Sequence, residues 1–301
     1  MRAVRLRSPG GPEELVVEDV ATPRVGPGEA IVGVHAAAIT RDELEWPADR
    51  LPAFPAYEMS GVVAEVASDV DAALTGQPVY ALTEFDRDGA AAEFVAVRAR
   101  LLAPKPQSLD HVQAAAVPLA ALSAWQALFD HGNLQASQRV LIHGAAGGVG
   151  QFATQLGRWR GAHVIGTTSR TNAERARRLG AHEVLEYDNV HPEGELAPVD
   201  LVFDTVGGDA LAHSAGIVWP GGKVVSVAQE PPPLPADAAI TGSYFVVEPN
   251  RDQLIEIGRL VDSGDLRPEV DSVPLAEARA AFARSMARAK RGKVVLRVVH
   301  D

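Results

Sequence analysis

The sequence contains no cysteine. That removes disulfides, thiolate nucleophiles and every cysteine-held zinc or iron–sulfur site in one step. It fits a reducing cytoplasm, the expected location. Positive charge is in deficit: 28 Lys and Arg stand against 39 Asp and Glu, a formal net charge of −11. A surface of that sign repels phosphate backbones and counts against nucleic acid as the main partner. The N-terminal MRAVRLRSPGGPEE lacks the apolar core of a signal peptide and reads as a strand followed by a turn. One stretch, Val112 to Phe129, runs uncharged for about the length of a bilayer span. Its alanines, with Gln113, Pro118, Ser123 and Gln126, make it a buried helix or helix pair instead, so a soluble protein is expected.

What is present is ordinary for a folded chain. The 301 residues leave room for two domains on the loose guide of about 150 residues each. A content of 47% hydrophobic and 22% charged residues excludes disorder for the bulk of the sequence. In the first hundred residues, short β-branched runs recur between glycine and proline: Val16-Val17, Ala30 to Val34, Gly61 to Val66, Pro78 to Leu82 and Ala92 to Val97. Such spacing predicts a compact barrel or sandwich. An extended connector, Leu101 to Ser108, closes that region.

Strands and helices then alternate. Arg139 to Gly144 is a buried strand, and Val149, Phe152, Ala153, Leu156 and Trp159 recur at helical spacing after it. His163 to Thr167 is the next strand. Thr171 and Glu174 form a capping-box pattern at the following helix, which Gly180 ends. Val184 to Tyr187, Val199 to Asp204 and Lys223 to Val227 supply three further strands. This order predicts a doubly wound parallel α/β sheet. Gln229 to Ala236 is a proline-rich loop. The tail reads as strand Tyr244 to Val247, helix Arg251 to Ser263, helix Leu275 to Ala289 and strand Lys293 to Val299.

The strongest signal is HGAAGGVG, His143 to Gly150, between an apolar strand and an amphipathic helix. Its glycines at 144, 147, 148 and 150 give GxxGGxG instead of GxGxxG. The physical demand is the same. Gly144 allows a tight strand exit, Gly147-Gly148 let the backbone approach a pyrophosphate at the positive helix end, and Gly150 permits close helix–sheet packing. At the end of the second strand, where NAD enzymes place an acid on the ribose, the residues are Thr167, Thr168, Ser169 and Arg170. Ser169 and the permanently charged Arg170 suit a 2′-phosphate, so NADP(H) is the expected cofactor. Thr171 either competes for that phosphate or caps its helix.

These features resemble the medium-chain dehydrogenases/reductases, most of all the zinc-independent quinone oxidoreductase branch that includes ζ-crystallin-like enzymes. The specific stretches are Val140 to Leu156 (VLIHGAAGGVGQFATQL), Phe203 to Gly208 (FDTVGG), Gly221 to Val227 (GGKVVSV), Gly292 to Leu296 (GKVVL) and Ala115 to Leu128. The resemblance implies a β-rich GroES-like barrel domain from 1–112 and 247–301 around a Rossmann dinucleotide-binding domain from 113–246. It implies a pyrophosphate held by Gly144, Ala145, Ala146, Gly147, Gly148 and Val149. Thr167, Ser169, Arg170 and Tyr187 would hold the adenosine ribose and its phosphate. Ser123, Asp204, Val206, Val227, Ala228, Gln229, Phe245 and Val246 would stand at the nicotinamide side, with Lys293 approaching the cofactor. It also implies a homodimer paired through the Tyr244 to Val247 edge.

The zinc-dependent branch carries Cys-Gly-x-Asp and Gly-His-Glu, where this chain reads Ile39-Thr40-Arg41-Asp42 and Ala56-Tyr57-Glu58. Two carboxylates without thiolate or imidazole make a poor zinc site, so no metal is expected. Hydride delivery to a quinone or α,β-unsaturated carbonyl needs no Lewis acid, because the acceptor spreads the arriving charge. By the resemblance, Tyr57, Asp42 and Ser123 are catalytic candidates, and Thr40 and Trp46 substrate-binding ones. Tyr57 is either a proton donor or a barrel-core tyrosine with a satisfied hydroxyl. Trp46 either stacks on a flat acceptor or covers the barrel mouth, and Asp42 suits a loop anchor equally. Two alternatives stand beside the leading reading: an enoyl reductase tailoring a natural product, and a nucleotide-binding protein without turnover.

Overall fold

The computed structural model describes all residues except 48, 187–195, 234–238, 288–291 and 299–301. The chain forms two units, Met1–Leu119 with Pro249–Asp301, and Ala120–Glu248. The resemblance implies boundaries at 112/113 and 246/247; the two units divide at 119/120 and 248/249, and helix α1 (His111–Ala115) lies in the first. Ala115 and Ala116 pack on Ala36, Ala38 and Val295 there, small side chains that let the helix lie close to the sheet. Asp110 and Gln113 close a reciprocal capping box at its start.

In the first unit, β1 (Arg2–Leu6) and β2 (Leu15–Asp19) form an antiparallel pair. A seven-stranded sheet follows from β3 (Glu29–Ile39), β4 (Glu58–Val66), β5 (Pro78–Leu82), β6 (Phe94–Arg98), β7 (Ala103–Pro104), β14 (Val270–Pro274) and β15 (Lys293–Arg297). Its path runs β14-β15-β3-β4-β5-β7, with β6 on the other side of β3. Val32, Val34, Ile39, Met59, Val63, Phe282 and Leu296 are in its core. Strand β14 was not anticipated: its VDSVP stretch carries one buried side chain and pairs in parallel with β15. Helix α6 (Arg251–Ser263) matches its expected bounds, and Asn250 caps it by accepting from Gln253 N–H. Helix α7 (Ala278–Met286) starts later than expected, after a 3₁₀ turn at Leu275–Glu277.

The second unit is a six-stranded, all-parallel sheet. Its strands are β8 (Arg139–His143), β9 (His163–Thr168), β10 (Glu183–Glu186), β11 (Val199–Asp204), β12 (Val218–Ser226) and β13 (Thr241–Tyr244), ordered β10-β9-β8-β11-β12-β13. Helices α2 (Pro118–Trp125, continued by a π-helical turn to His131), α3 (Gly150–Trp159), α4 (Ala173–Arg178) and α5 (Gly208–Ala212) complete the α-helices found among the described residues. The order reverses at β8, whose neighbours are β9 and β11, so the carboxyl end of β8 is the switch point where doubly wound sheets bind ligands. Strand β13 lies three residues before the expected Tyr244 to Val247. The ladder with Lys223–Ser226 selects TGSY and leaves Val246 59% exposed, a choice local apolarity does not reveal. The capping box expected at Thr171 does not form. Residues Arg170–Asn172 make a 3₁₀ turn, Asn172 is the N-cap of α4, and the Thr171 hydroxyl meets Ser169 instead. No helix among the described residues is long and apolar enough to cross a membrane.

Candidate functional site

Between β8 and α3 the chain turns on its glycines. Gly144 has φ +76°, and a Cβ there would lie 2.7 Å from Thr205 Oγ1. A Cβ on Gly150 would sit 2.0 Å from Gly144 O, so only glycine lets α3 start this close to the strand. The turn is supported from three sides: Gly147 N–H donates to Gly144 O (2.8 Å), Ala145 N–H to Thr167 O (3.0 Å), and Thr154 Oγ1 to Ala145 O (3.1 Å). Ala145 and Ala146 are buried, while Gly147 is exposed and Gly148 and Val149 are half-buried. The amides of Gly148, Val149 and Gly150 donate to no carbonyl among the described residues, and they stand at the positive end of a ten-residue helix. A backbone cradle that a Cβ would fill is what a pyrophosphate needs, and a dinucleotide fits here.

Thr167 at the end of β9 is buried, with its Oγ1 shared between His143 Nδ1 (3.2 Å) and Gly144 N–H (3.3 Å). Its side chain therefore buttresses the turn. Ser169 is half-buried and Arg170 exposed. Asn172 Nδ2 donates to Ser169 Oγ (3.0 Å), which also meets Thr171 Oγ1. No acidic residue stands between Thr167 and Ala173. Tyr187 lies outside the described residues. His143 is buried, its other ring nitrogen on Ser214 Oγ (3.1 Å), and burial pulls the imidazole below its usual range, which makes it a neutral spacer.

The ends of β11 and β12 are laced together. The fully buried Asp204 carboxylate accepts from Val206 and Gly207 N–H (3.1 Å each) and from Ser226 Oγ (2.7 Å). Ser226 Oγ in turn accepts from Ala228 N–H (3.0 Å) and Gln229 N–H (3.3 Å), and Gln229 Oε1 from Gly208 N–H (3.2 Å). Val227 N–H donates to Asp204 O (3.1 Å). Asp204 and Gln229 thus shape the two loops, and Val206, at 36% exposure, is presented by them. Phe245 stacks on His131 with centroids 4.2 Å apart, Val246 is exposed, and Ser123 is buried within α2.

In the first unit the structure departs most from expectation. Asp42 is exposed, and among the described residues its one hydrogen bond is at its carbonyl, accepting from Glu45 N–H (3.1 Å). The buried carboxyl is Glu43, one residue on, which accepts from Thr40 N–H and Ala56 N–H (3.0 Å each). Burial pushes it up to about 8, against the opposing pull of Lys293 and the two amides. Sequence reading passed over Glu43, though Thr40-x-x-Glu43 is the pattern in which a glutamate reaches back to a preceding backbone amide. Tyr57 is fully buried, its ring against Trp46 (5.6 Å) and Phe85 (5.4 Å) and its hydroxyl accepting from Arg50 Nη2 (3.2 Å). Its burial among rings suits a barrel-core tyrosine, while its hydroxyl hydrogen meets no acceptor among the described residues and keeps the donor reading open. Arg50 also donates to Phe85 O (2.6 Å), and no sequence pattern marked it. Trp46 is half-buried over Tyr57 and edge-on to Phe85.

Lys293, which the resemblance sends toward the cofactor, makes its polar contacts among the described residues within this unit. It is 3% exposed, and its ammonium lies 2.5 Å from Glu58 Oε1 and donates to Thr40 Oγ1 (2.8 Å). Glu58 is fully buried and its Oε2 accepts from Leu119 N–H (2.9 Å). A zinc ion does not fit this donor set: where the zinc-dependent branch has cysteine and histidine, Ile39 offers no ligand atom and Tyr57 only a phenol oxygen that faces the Arg50 guanidinium, and an ammonium already answers Glu58. Among the described residues, no group of three or more His, Asp or Glu side chains gathers to hold a metal.

Comparison with known proteins agrees with this architecture. Residues 26–107 match the family "Alcohol dehydrogenase GroES-like domain" and residues 179–296 match "Zinc-binding dehydrogenase". A probable zinc-binding oxidoreductase, mitochondrial, of Arthroderma benhamiae is 32% identical, the match covering 99% of this chain and 97% of that protein. The chloroplastic NADPH-dependent alkenal/one oxidoreductase of Arabidopsis thaliana is 30% identical over 95% of this chain and 77% of its own. The solved quinone oxidoreductase of Coxiella burnetii superposes with a TM-score of 0.91, at 30% identity and 99% coverage of both chains. The chain belongs to the medium-chain dehydrogenases/reductases, in their zinc-independent, quinone-oxidoreductase-like branch.

Proposed function

We propose that this oxidoreductase uses NADPH to deliver hydride to a quinone or an α,β-unsaturated carbonyl, without a metal. The observation that carries the reading is the buried Lys293 ammonium against Glu58, where a metal-dependent enzyme would need ligands. With no Lewis acid to stabilise an alkoxide, the acceptor itself must delocalise the charge, and quinones and enones do so. The alkenal/one and quinone oxidoreductases among its relatives support this class.

When bound, the reduced nicotinamide supplies the hydride. The amides around Gly147 to Gly150 would hold the diphosphate at the start of α3. Ser169 and Arg170 would take the 2′-phosphate, since no carboxylate stands beside them to repel it. Val206, Val227, Ala228, Phe245 and Val246, on loops shaped by Asp204 and Gln229, would border the nicotinamide together with Ser123. Trp46 and Phe85 would offer ring faces to a flat acceptor. We also assign the protein to the cytoplasm, and to a homodimer through β13, which among the described residues pairs only with β12 and leaves Tyr244 41% exposed.

The test is NADPH consumption with phenanthrenequinone and with a simple enone. Turnover with either is expected. NADPH binding without oxidation by any quinone or enone would mean a nucleotide-binding protein without turnover and overturn the reading.

A further inference from the structure

We propose that Lys293 supplies the positive charge of the acceptor site, acting through the Thr40 hydroxyl, which donates a hydrogen bond to the acceptor's carbonyl oxygen. This rests on the reductase reading above. Three observations meet at Thr40. First, the Lys293 ammonium reaches past Glu58 and donates to Thr40 Oγ1 at 2.8 Å, so the buried charge does not end in the ion pair. Second, Thr40 is half-buried where Glu58 is fully buried, and its hydroxyl hydrogen has no acceptor among the described residues. Third, the arrangement is held by backbone register: Ile39 faces Val294 and Ala38 faces Glu58 in adjacent ladders, which brings Thr40, Glu58 and Lys293 to one end of the sheet.

A hydroxyl whose lone pair accepts from a cation is a stronger donor through its own hydrogen. When hydride adds to the β-carbon of an enone, the carbon–carbon π pair shifts toward the carbonyl and its oxygen takes the negative charge. The reduced cofactor is the reductant, and water supplies the proton that completes the product. Thr40 would donate to that oxygen as the charge forms, with Lys293 fixed behind it before the reaction begins. A quinone spreads the same charge over a ring and a second carbonyl and depends less on the donor. In this scheme Thr40 touches the acceptor and is catalytic; Lys293 is a positioning residue.

The experiment is steady-state kinetics with an enone and a quinone, beside NADPH titration. Thr40→Val should lower kcat for the enone by about 10- to 100-fold and for the quinone less, while Thr40→Ser stays within about threefold of wild type. Lys293→Met combined with Glu58→Gln should lower enone kcat as well, but add nothing when Thr40→Val is already present. The dissociation constant for NADPH should not change. Full enone activity in Thr40→Val overturns the assignment. So does an equal loss from the Lys293/Glu58 substitutions with and without Thr40→Val, since Lys293 would then not act through that hydroxyl. Weakened NADPH binding with unchanged kcat would place Lys293 at the cofactor and also overturn it. If the Lys293 variants do not fold, Thr40→Val and Thr40→Ser decide: loss in the first alone supports the scheme, and loss in both or neither refutes it. A wild-type protein inert to every acceptor overturns the reductase reading and this assignment with it.

Discussion

Lys293→Met isolates the energy of the buried ion pair. Methionine keeps the length of the side chain and removes only the ammonium, leaving Glu58 fully buried with Leu119 N–H as a remaining donor. Breaking a buried pair from one side costs about 3–5 kcal/mol, because the remaining carboxylate loses the ammonium and cannot regain water. Protonation sets the ceiling. A glutamate whose ordinary value is about 4.3 costs about 1.36 kcal/mol per unit to protonate above it, so at pH 7 the escape costs about 4 kcal/mol and at pH 5 about 1. The deficit of the variant relative to wild type should therefore shrink by about 3 kcal/mol between pH 7 and pH 5. The sign follows from linkage: a carboxyl raised in the folded state binds protons there first, so its cost grows as pH rises. Urea unfolding at the two pH values reads this directly, and at pH 7 the melting temperature should fall by about 10 °C. Adding Glu58→Gln removes the remaining charge yet keeps an oxygen for Leu119 N–H, so the double variant should recover most of the loss. Wild-type stability in Lys293→Met at pH 7, a deficit that ignores pH, or a double variant weaker than the single would refute the reasoning.

Three further outcomes are expected. Glu43, with its carboxyl near 8 when folded against an ordinary 4.5, contributes stability that is complete below pH 4.5 and lost as pH rises through 8; the ceiling is about 5 kcal/mol. Glu43→Gln cannot titrate, so its urea midpoint should fall less than that of wild type between pH 5 and pH 9, and parallel curves would be the contrary result. Gly150→Ala places a Cβ 2.0 Å from Gly144 O, so the turn must open; NADPH affinity, followed by fluorescence titration, should drop about tenfold or more, and unchanged affinity would remove the turn from the cofactor site. Arg170→Ala should weaken NADPH by about 10- to 100-fold, the worth of a charge-assisted hydrogen bond, and NADH little. Equal losses for both cofactors would take Arg170 away from the phosphate.

Much of the second unit was legible because its signals are local. The apolar run Arg139 to His143, the glycines that follow and the helical spacing from Val149 to Trp159 are neighbours in sequence and remain neighbours in space. Strand β13 and the start of α4 were misread for the complementary reason: an edge strand is selected by its ladder with β12, and Thr171 turns to Ser169 instead of capping. Asp42 and Tyr57 show the same limit, since a loop residue and its neighbour look equivalent until burial separates them. Glu43 lies inside and Asp42 in solvent, and the Tyr57 hydroxyl accepts from Arg50.

What the amino-acid order determined by itself was the pair of fold patterns, the glycine cradle and the absence of thiolate chemistry, all set by short-range sterics and side-chain type. What tertiary structure alone decided was the company of Lys293. Its ammonium meets Thr40 across 253 residues of chain, through the register of β15 on β3 and of β3 on β4. Periodicity reports which face of a strand is buried. It carries no information on which distant charge will be buried opposite it, because that follows from how strands are aligned once the sheet has closed.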